Sequence, residues 1–230
     1  FQTHEGIITP LAQKIKFSGH GIFPQQSASH AHMVVLSQDE QEIHISDLGA
    51  DRIYHYQLRP DGLIEGKLNF TQFPDGTGPR HFVFSPDEKY VYVVGELSGT
   101  VDVFAVQDGS WTAIQREKID FSKGDGPKAS ADIHLSPNGK WLIASNRITQ
   151  NSLTVFRIES TGKLSFTRDI PVGKVPRNFQ FDASGGKIYV ACKDEDRIQQ
   201  FSFNTETGDM QDLHDDILVK SPVAIIDIGR

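Results

Sequence analysis

Eight positions related by a repeat carry residue types that could bind an anion and move a proton. Four segments align on Ser37, Ser85, Ser136 and Asp182. Five residues before each anchor stand His32, Arg80, Ala131 and Arg177; ten or eleven after it stand Asp47, Glu96, Arg147 and Lys193. Seven of the eight are ionisable, and the types change from one repeat to the next. Solvated loop ends are the bland explanation, but a purely structural repeat would tend to reuse one residue. Convergent Arg, His and Glu around a concave mouth is what an anion-binding catalytic pocket requires.

The elements that must hold these residues read as β-strands. The repeats run His32–Tyr56, Arg80–Phe104, Ala131–Phe156 and Arg177–Phe201. In each, a short apolar run ends in a turn of the Ser-Pro-Asp type, and Pro and Asp/Asn favour such turns. A β-rich run follows, such as Tyr90–Val94 or Trp141–Ala144. A polar loop then leads to a third, alternating strand that closes on Tyr56, Phe104, Phe156 or Phe201. Segments such as Ile64–Phe70 and Leu164–Asp169 can supply a fourth, outer strand. The closing aromatics lie 48, 52 and 45 residues apart, the length of a four-stranded propeller blade. A helical solenoid would carry a 3.6-residue apolar period, which is absent.

The expected fold class is therefore all-β, a β-propeller of four-stranded antiparallel blades in one domain over 1–230. The blades fall at about 30–78, 79–128, 129–175 and 176–220, with a partial blade over 1–29 and a closing strand over 222–228. The first set of aligned residues precedes each innermost strand, and the second follows the next strand. Antiparallel pairing brings those ends to the same rim, so both sets are expected to ring one mouth of a central channel.

The 230 residues carry a net charge of −7 without a basic stripe, which argues against a nucleic-acid surface. No run approaches the roughly 18 apolar residues of a membrane span. Cys192 is the single cysteine. It excludes an internal disulfide and points to a reducing, cytoplasmic compartment. It sits in an apolar strand-like run, where a buried structural thiol is expected. Neither a metal-ligand spacing nor a cofactor motif is present. The first residue is Phe1 and the blades do not sum to a ring, so the chain reads as part of something longer.

Other polar residues invite plainer readings. His30, His81 and His134 lie beside inner strands, where a structural role is the default, although His30 is two residues from His32. His44 and His55 fall in strands without a motif. Asp51, Thr100, Asn151 and Asp196 recur at one turn and are expected to bond their own local backbone. Gly76-Thr77-Gly78-Pro79-Arg80 leads into a strand and lacks the helix of a phosphate-binding loop.

The motifs Ser29-His-Ala-His32, Gly78-Pro-Arg-His-Phe-Val-Phe-Ser-Pro-Asp87, Gly95-Glu-Leu97 with Thr100-Val101, and Ser130-Ala-Asp-Ile-His-Leu-Ser-Pro-Asn-Gly139 with Ser145-Asn-Arg147 together resemble the lactonase family of seven-bladed β-propellers. That family includes propeller-type 6-phosphogluconolactonases and carboxy-cis,cis-muconate cyclase. About four and a half of the seven blades are visible here. Where the family usually carries an Arg-Gln pair and a Pro before the first His, this chain has Gln25-Gln26 and Ser29.

The resemblance implies a site of His32, Arg80, Glu96 and Arg147 and hydrolysis of a small anionic lactone in carbohydrate metabolism, 6-phosphogluconolactone in the pentose phosphate pathway being the first expectation. His32 or Glu96 would act as general base, and Arg80 and Arg147 as anion and oxyanion ligands. Arg177, Lys193, His30 and Asp47 are expected to contact the substrate. A lactonising cyclase, or a propeller that binds a ligand or partner without catalysis, stays open as the alternative.

Overall fold

Each alternating run in the sequence becomes a strand, and each Ser-Pro-Asp type turn becomes a hairpin. The computed structural model describes residues 3–4, 7–8, 13–61 and 64–226. A short antiparallel pair, β1 (Thr3–His4) with β2 (Ile7–Ile8), is followed by a 3₁₀ turn at Pro24–Gln26. The first four-stranded sheet holds β3 (Ala31–Leu36), β4 (Glu42–Asp47), β5 (Arg52–Leu58) and β6 (Ile64–Gln72). The second holds β7 (Pro79–Phe84), β8 (Tyr90–Gly95), β9 (Thr100–Gln107) and β10 (Ser110–Lys118). The third holds β11 (Ser130–Leu135), β12 (Trp141–Asn146), β13 (Ser152–Ile158) and β14 (Leu164–Pro171). The fourth holds β15 (Pro176–Phe181), β16 (Lys187–Cys192), β17 (Arg197–Phe203), β18 (Met210–Asp212) and β19 (Ile217–Leu218). In the four-stranded sheets, and in the fourth sheet through β18, the spatial order follows chain order, the simple meander of propeller blades.

The chain divides into two units, Phe1–Pro79 and Arg80–Arg230. In the first, Ile45, Tyr54 and Tyr56 form the core, and Ile15 and Phe17 pack on them from the lead-in. Phe17 stacks on Tyr54 at 4.6 Å. In the second unit the middle strands are buried on both faces, so they read as continuous apolar runs rather than alternating ones. Tyr92 and Val94 pack with Leu142, Ala144 and Phe156, and Ile143 and Val155 with Phe179 and Val190. Each of the Val, Leu, Ile and Phe side chains stabilises by about 1.5–3 kcal/mol relative to exposure.

The hairpin turns share one hydrogen-bond scheme. Ser85 Oγ donates to Asp87 Oδ1 at 2.8 Å and accepts from the Tyr90 amide at 3.0 Å. Ser37 with Asp39 and Ser136 with Asn138 repeat it. At Asp182 the roles are exchanged: its carboxylate takes the Lys187 amide and the Ser184 hydroxyl.

Three expectations need correction. Pro222–Ile226 forms no strand, and residues 227–228 lie outside the described ones. Pro222 lacks an amide donor, and the Ile225 amide goes to the Asn178 side chain at 2.6 Å instead of to a ladder. The outer strand of the fourth sheet is broken into β18 and β19, both paired with β17. The recurrent turn residues do not bond only locally: Asn151 takes the Ile148 amide at 3.3 Å and Thr100 meets the Ser98 hydroxyl at 2.7 Å, but three of the four positions also reach distant backbone. Asp51 Oδ1 accepts the Gly78 amide at 2.7 Å and Oδ2 the Gly76 amide at 2.8 Å. Asn151 takes the Val175 amide and Asp196 the Ser221 amide, each at 2.8 Å. These side chains tether the connection that leaves their own outer strand, 24 to 27 residues downstream. In the second sheet the equivalent position is Gly99, not Thr100: it has φ +66°, and a Cβ there would stand 2.8 Å from Asp120 Cβ.

Candidate functional site

In the first, third and fourth sheets the aligned position falls at a β-bulge. In the first sheet Ala31 pairs with Asp47 and Met33 with Ser46, so His32 is the extra residue. In the fourth, Pro176 pairs with Cys192 and Asn178 with Ala191, and Arg177 is extra. In the third, the bulge takes in Ala131 and Asp132 between the pairs Ser130–Asn146 and Ile133–Ala144. A bulge re-aims a side chain out of strict alternation and is common beside functional sites. The same registers set Asp47, Arg147 and Lys193 at, or one residue past, the strand end beside the bulge.

In the second unit, arginines converge on one carboxylate. Glu96 Oε2 pairs with Arg80 Nε at 2.7 Å and with Arg147 Nη2 at 2.9 Å. Arg80 is 2% exposed and Arg147 9%. Arg80 Nη1 also donates to the Ala131 carbonyl at 2.5 Å and meets His81 Nε2 at 3.3 Å. Burial pushes the Arg80 guanidinium down to about 10; Glu96 opposes this, while Arg147 and Arg177 add to it. Arg147 Nε is buried without a hydrogen-bond partner among the described residues. Such a donor is rare in native proteins and calls for a water or a ligand.

Beneath the arginines sits an acid for which the sequence suggested no role. Asp132 is 2% exposed and draws donors from all three inner strands of this unit. Oδ1 is bonded by His81 Nδ1 at 2.6 Å and the Ile133 amide at 3.0 Å. Oδ2 is bonded by His134 Nε2 at 3.0 Å, Asn178 Nδ2 at 2.5 Å and the Phe179 amide at 3.2 Å. Burial alone would raise its pKa; hydrogen bonds from His134 and His81 outweigh that and hold it far below the ordinary carboxylate range. One signal could have found it. Met33, His81, Asp132 and Asn178 occupy a single repeat position, one residue after the first aligned set, and three of the four are polar.

The remaining candidates separate. Arg177 is half-buried and close enough to Arg80 to affect its charge. Lys193, 41% exposed in its side chain, pairs with Asp194 at 3.2 Å. Asp47 is fully buried and structural: its carboxylate takes the amides of His30, Gly49 and Ala50, the Ser29 hydroxyl at 2.5 Å and Tyr54 OH. That leaves it no capacity for a substrate, which corrects the expectation. His30 lies exposed on the first unit and His32 half-buried. Gln26, from the loop that departs from the family pattern, is buried and donates to Leu48 O and Asp51 Oδ1.

A meander of four-stranded sheets, with arginines and a glutamate gathered at the ends of neighbouring strands, defines a β-propeller. Residues 2–226 match the family described as lactonase, 7-bladed beta-propeller, and the chain belongs to that family. It is 34% identical to a 6-phosphogluconolactonase of Formosa agariphila over 93% of this chain and 62% of that protein. A 6-phosphogluconolactonase of Bacillus subtilis is 29% identical over 96% of this chain and 64% of its own length. The periplasmic gluconolactonase of Pseudomonas aeruginosa superposes with a TM-score of 0.89 at 31% identity, covering 96% of this chain and 63% of that one. The chain thus spans somewhat less than two thirds of the length of these proteins.

Proposed function

We propose that the protein to which this chain belongs hydrolyses a sugar-acid lactone, with 6-phosphogluconolactone the substrate and 6-phosphogluconate the product. The observation that carries this reading is the charge imbalance around Glu96: Arg80, Arg147 and the nearby Arg177 stand against two carboxylates, Glu96 and the buried Asp132, and Arg147 Nε has no acceptor among the described residues. A phosphate or carboxylate would supply the missing negative charge through charge-assisted, bidentate bonds. The relatives named for this activity support the lactone.

Hydrolysis begins when water adds to the lactone carbonyl carbon and its π pair moves onto oxygen. Guanidinium donors held in place before reaction stabilise that oxyanion without reorganising. Glu96 spaces the two guanidiniums, since a single oxygen touches both. His32 and Glu96 are the proton acceptors the sequence proposes. The cytoplasmic placement rests on the single buried thiol Cys192, and the periplasmic location of one matched protein is the alternative.

The test is base uptake during hydrolysis of 6-phosphogluconolactone by the natural full-length protein. Arg147→Lys and Glu96→Gln should lower kcat/KM by about 100-fold or more. Hydrolysis unchanged in Glu96→Gln, Arg147→Lys and His32→Asn would defeat the site. Thermal protection by a muconate-type dicarboxylate but not by 6-phosphogluconate would move the substrate to the cyclase class.

A further inference from the structure

The lactone reading needs a group to take the proton of the attacking water, and the second unit holds one besides the carboxylate among the arginines. His81 follows Arg80 on β7, and its side chain is 23% exposed. Asp132 is ionised, so it can only accept, and this settles the histidine tautomers. His81 must carry its hydrogen on Nδ1, facing Asp132 Oδ1 at 2.6 Å. His134 must donate through Nε2 to the other oxygen at 3.0 Å. The basic nitrogen of His81 is then Nε2, which lies 3.3 Å from Arg80 Nη1.

A carboxylate fixing one imidazole nitrogen while the other faces the reacting groups is the arrangement that makes a histidine an oriented base. Glu96 is less suited, because its Oε2 is held by two guanidiniums at 2.7 and 2.9 Å, whereas His81 Nε2 meets one, at 3.3 Å. Resting on the lactone reading, we infer that His81, oriented by Asp132, is the proton carrier of this site. Its Nε2 takes a proton from water as the C–O bond forms and the carbonyl pair moves onto oxygen. When the intermediate collapses and the ring C–O bond breaks, the same proton passes to the departing ring oxygen. The charged and titratable groups around His81 are Arg80 on its own strand, Asp132 with His134 on β11, and Glu96, Arg147 and Arg177 beyond Arg80.

The experiment compares the natural full-length protein with His81→Gln across pH 5 to about 7.5, using 6-phosphogluconolactone and base uptake. The expected result is a fall in kcat of about 100-fold or more with KM within a few fold, together with loss of the acidic limb of the wild-type profile. A variant that retains that limb, or that loses activity only through KM, overturns the inference and leaves His81 as packing. If His81→Gln does not fold, the ring ¹⁵N shifts of wild-type His81, assigned through its backbone, decide. An Nδ1–H tautomer whose Nε2 shift moves on adding 6-phosphogluconate supports the role; the opposite tautomer or an unmoved shift overturns it. A wild type that does not hydrolyse the lactone removes the parent reading, and this inference with it.

Discussion

Arg80 and Glu96 meet at 2.7 Å, with the guanidinium almost wholly buried and the carboxylate 18% exposed. The pair joins the start of an inner strand to the residue just past its neighbour, the two ends that antiparallel pairing places on one rim.

Arg80→Lys is expected to destabilise the second unit by about 2–3 kcal/mol. A single ammonium cannot reach both Glu96 and the Ala131 carbonyl as the planar fork does, and a buried charge-assisted bond is worth about 1.5–3 kcal/mol. Urea unfolding of the variant against the wild type gives the number, and equal midpoints would refute the clamp.

Asp51→Ala should cost about 2–6 kcal/mol, because it strands the buried Gly76 and Gly78 amides at about 1–3 kcal/mol each. Asp51→Asn, which keeps one acceptor, should recover part of the loss. Amide exchange at Gly78 would report the freed connection directly.

The first unit should lose stability in mild acid. His44 and His55 touch Nδ1 to Nδ1 at 2.8 Å on paired strands. Burial pushes His44 down to about 4, and burial plus His44 pushes His55 down to about 3. Both folded values lie below the unfolded one near 6.5, so the unfolded chain binds more protons in between. The contribution is complete above pH 6.5 and declines as pH falls toward 4, at up to about 1.4 kcal/mol per pH unit for each histidine. Urea midpoints at several pH values should show this slope, and His55→Gln should flatten it.

Cys192 should resist thiol reagents in the folded protein. It is 0% exposed, and burial raises its thiol to about 11, so the reactive thiolate is scarce. Labelling that appears only in denaturant is the expected outcome; rapid labelling of the native protein would overturn the packing role.

Much of the fold was legible because strands declare themselves locally. The double-sided apolar run Tyr90–Val94 and the closing Phe156 report burial residue by residue, and the Ser-Pro-Asp turns report backbone geometry. The alignment that singled out His32 and Arg177 found the bulge position without showing that a bulge was there. Asp47 misled for the same reason. An acid at a strand end looks alike whether it faces a ligand or five nearby protein donors, and only the folded structure distinguishes them.

The sequence alone determined the repeat, the strands within it and the ionisable residues at their ends. Tertiary structure decided which of those residues meet. Arg80 reaches Ala131 and His81 reaches Asp132 across 51 residues, close to the repeat length, because neighbouring blades set equivalent positions side by side. Periodicity can state that spacing, but it cannot tell which way a bulged side chain turns or how many donors a buried carboxylate gathers. Those depend on sheet packing and desolvation, which arise only once distant segments share one core.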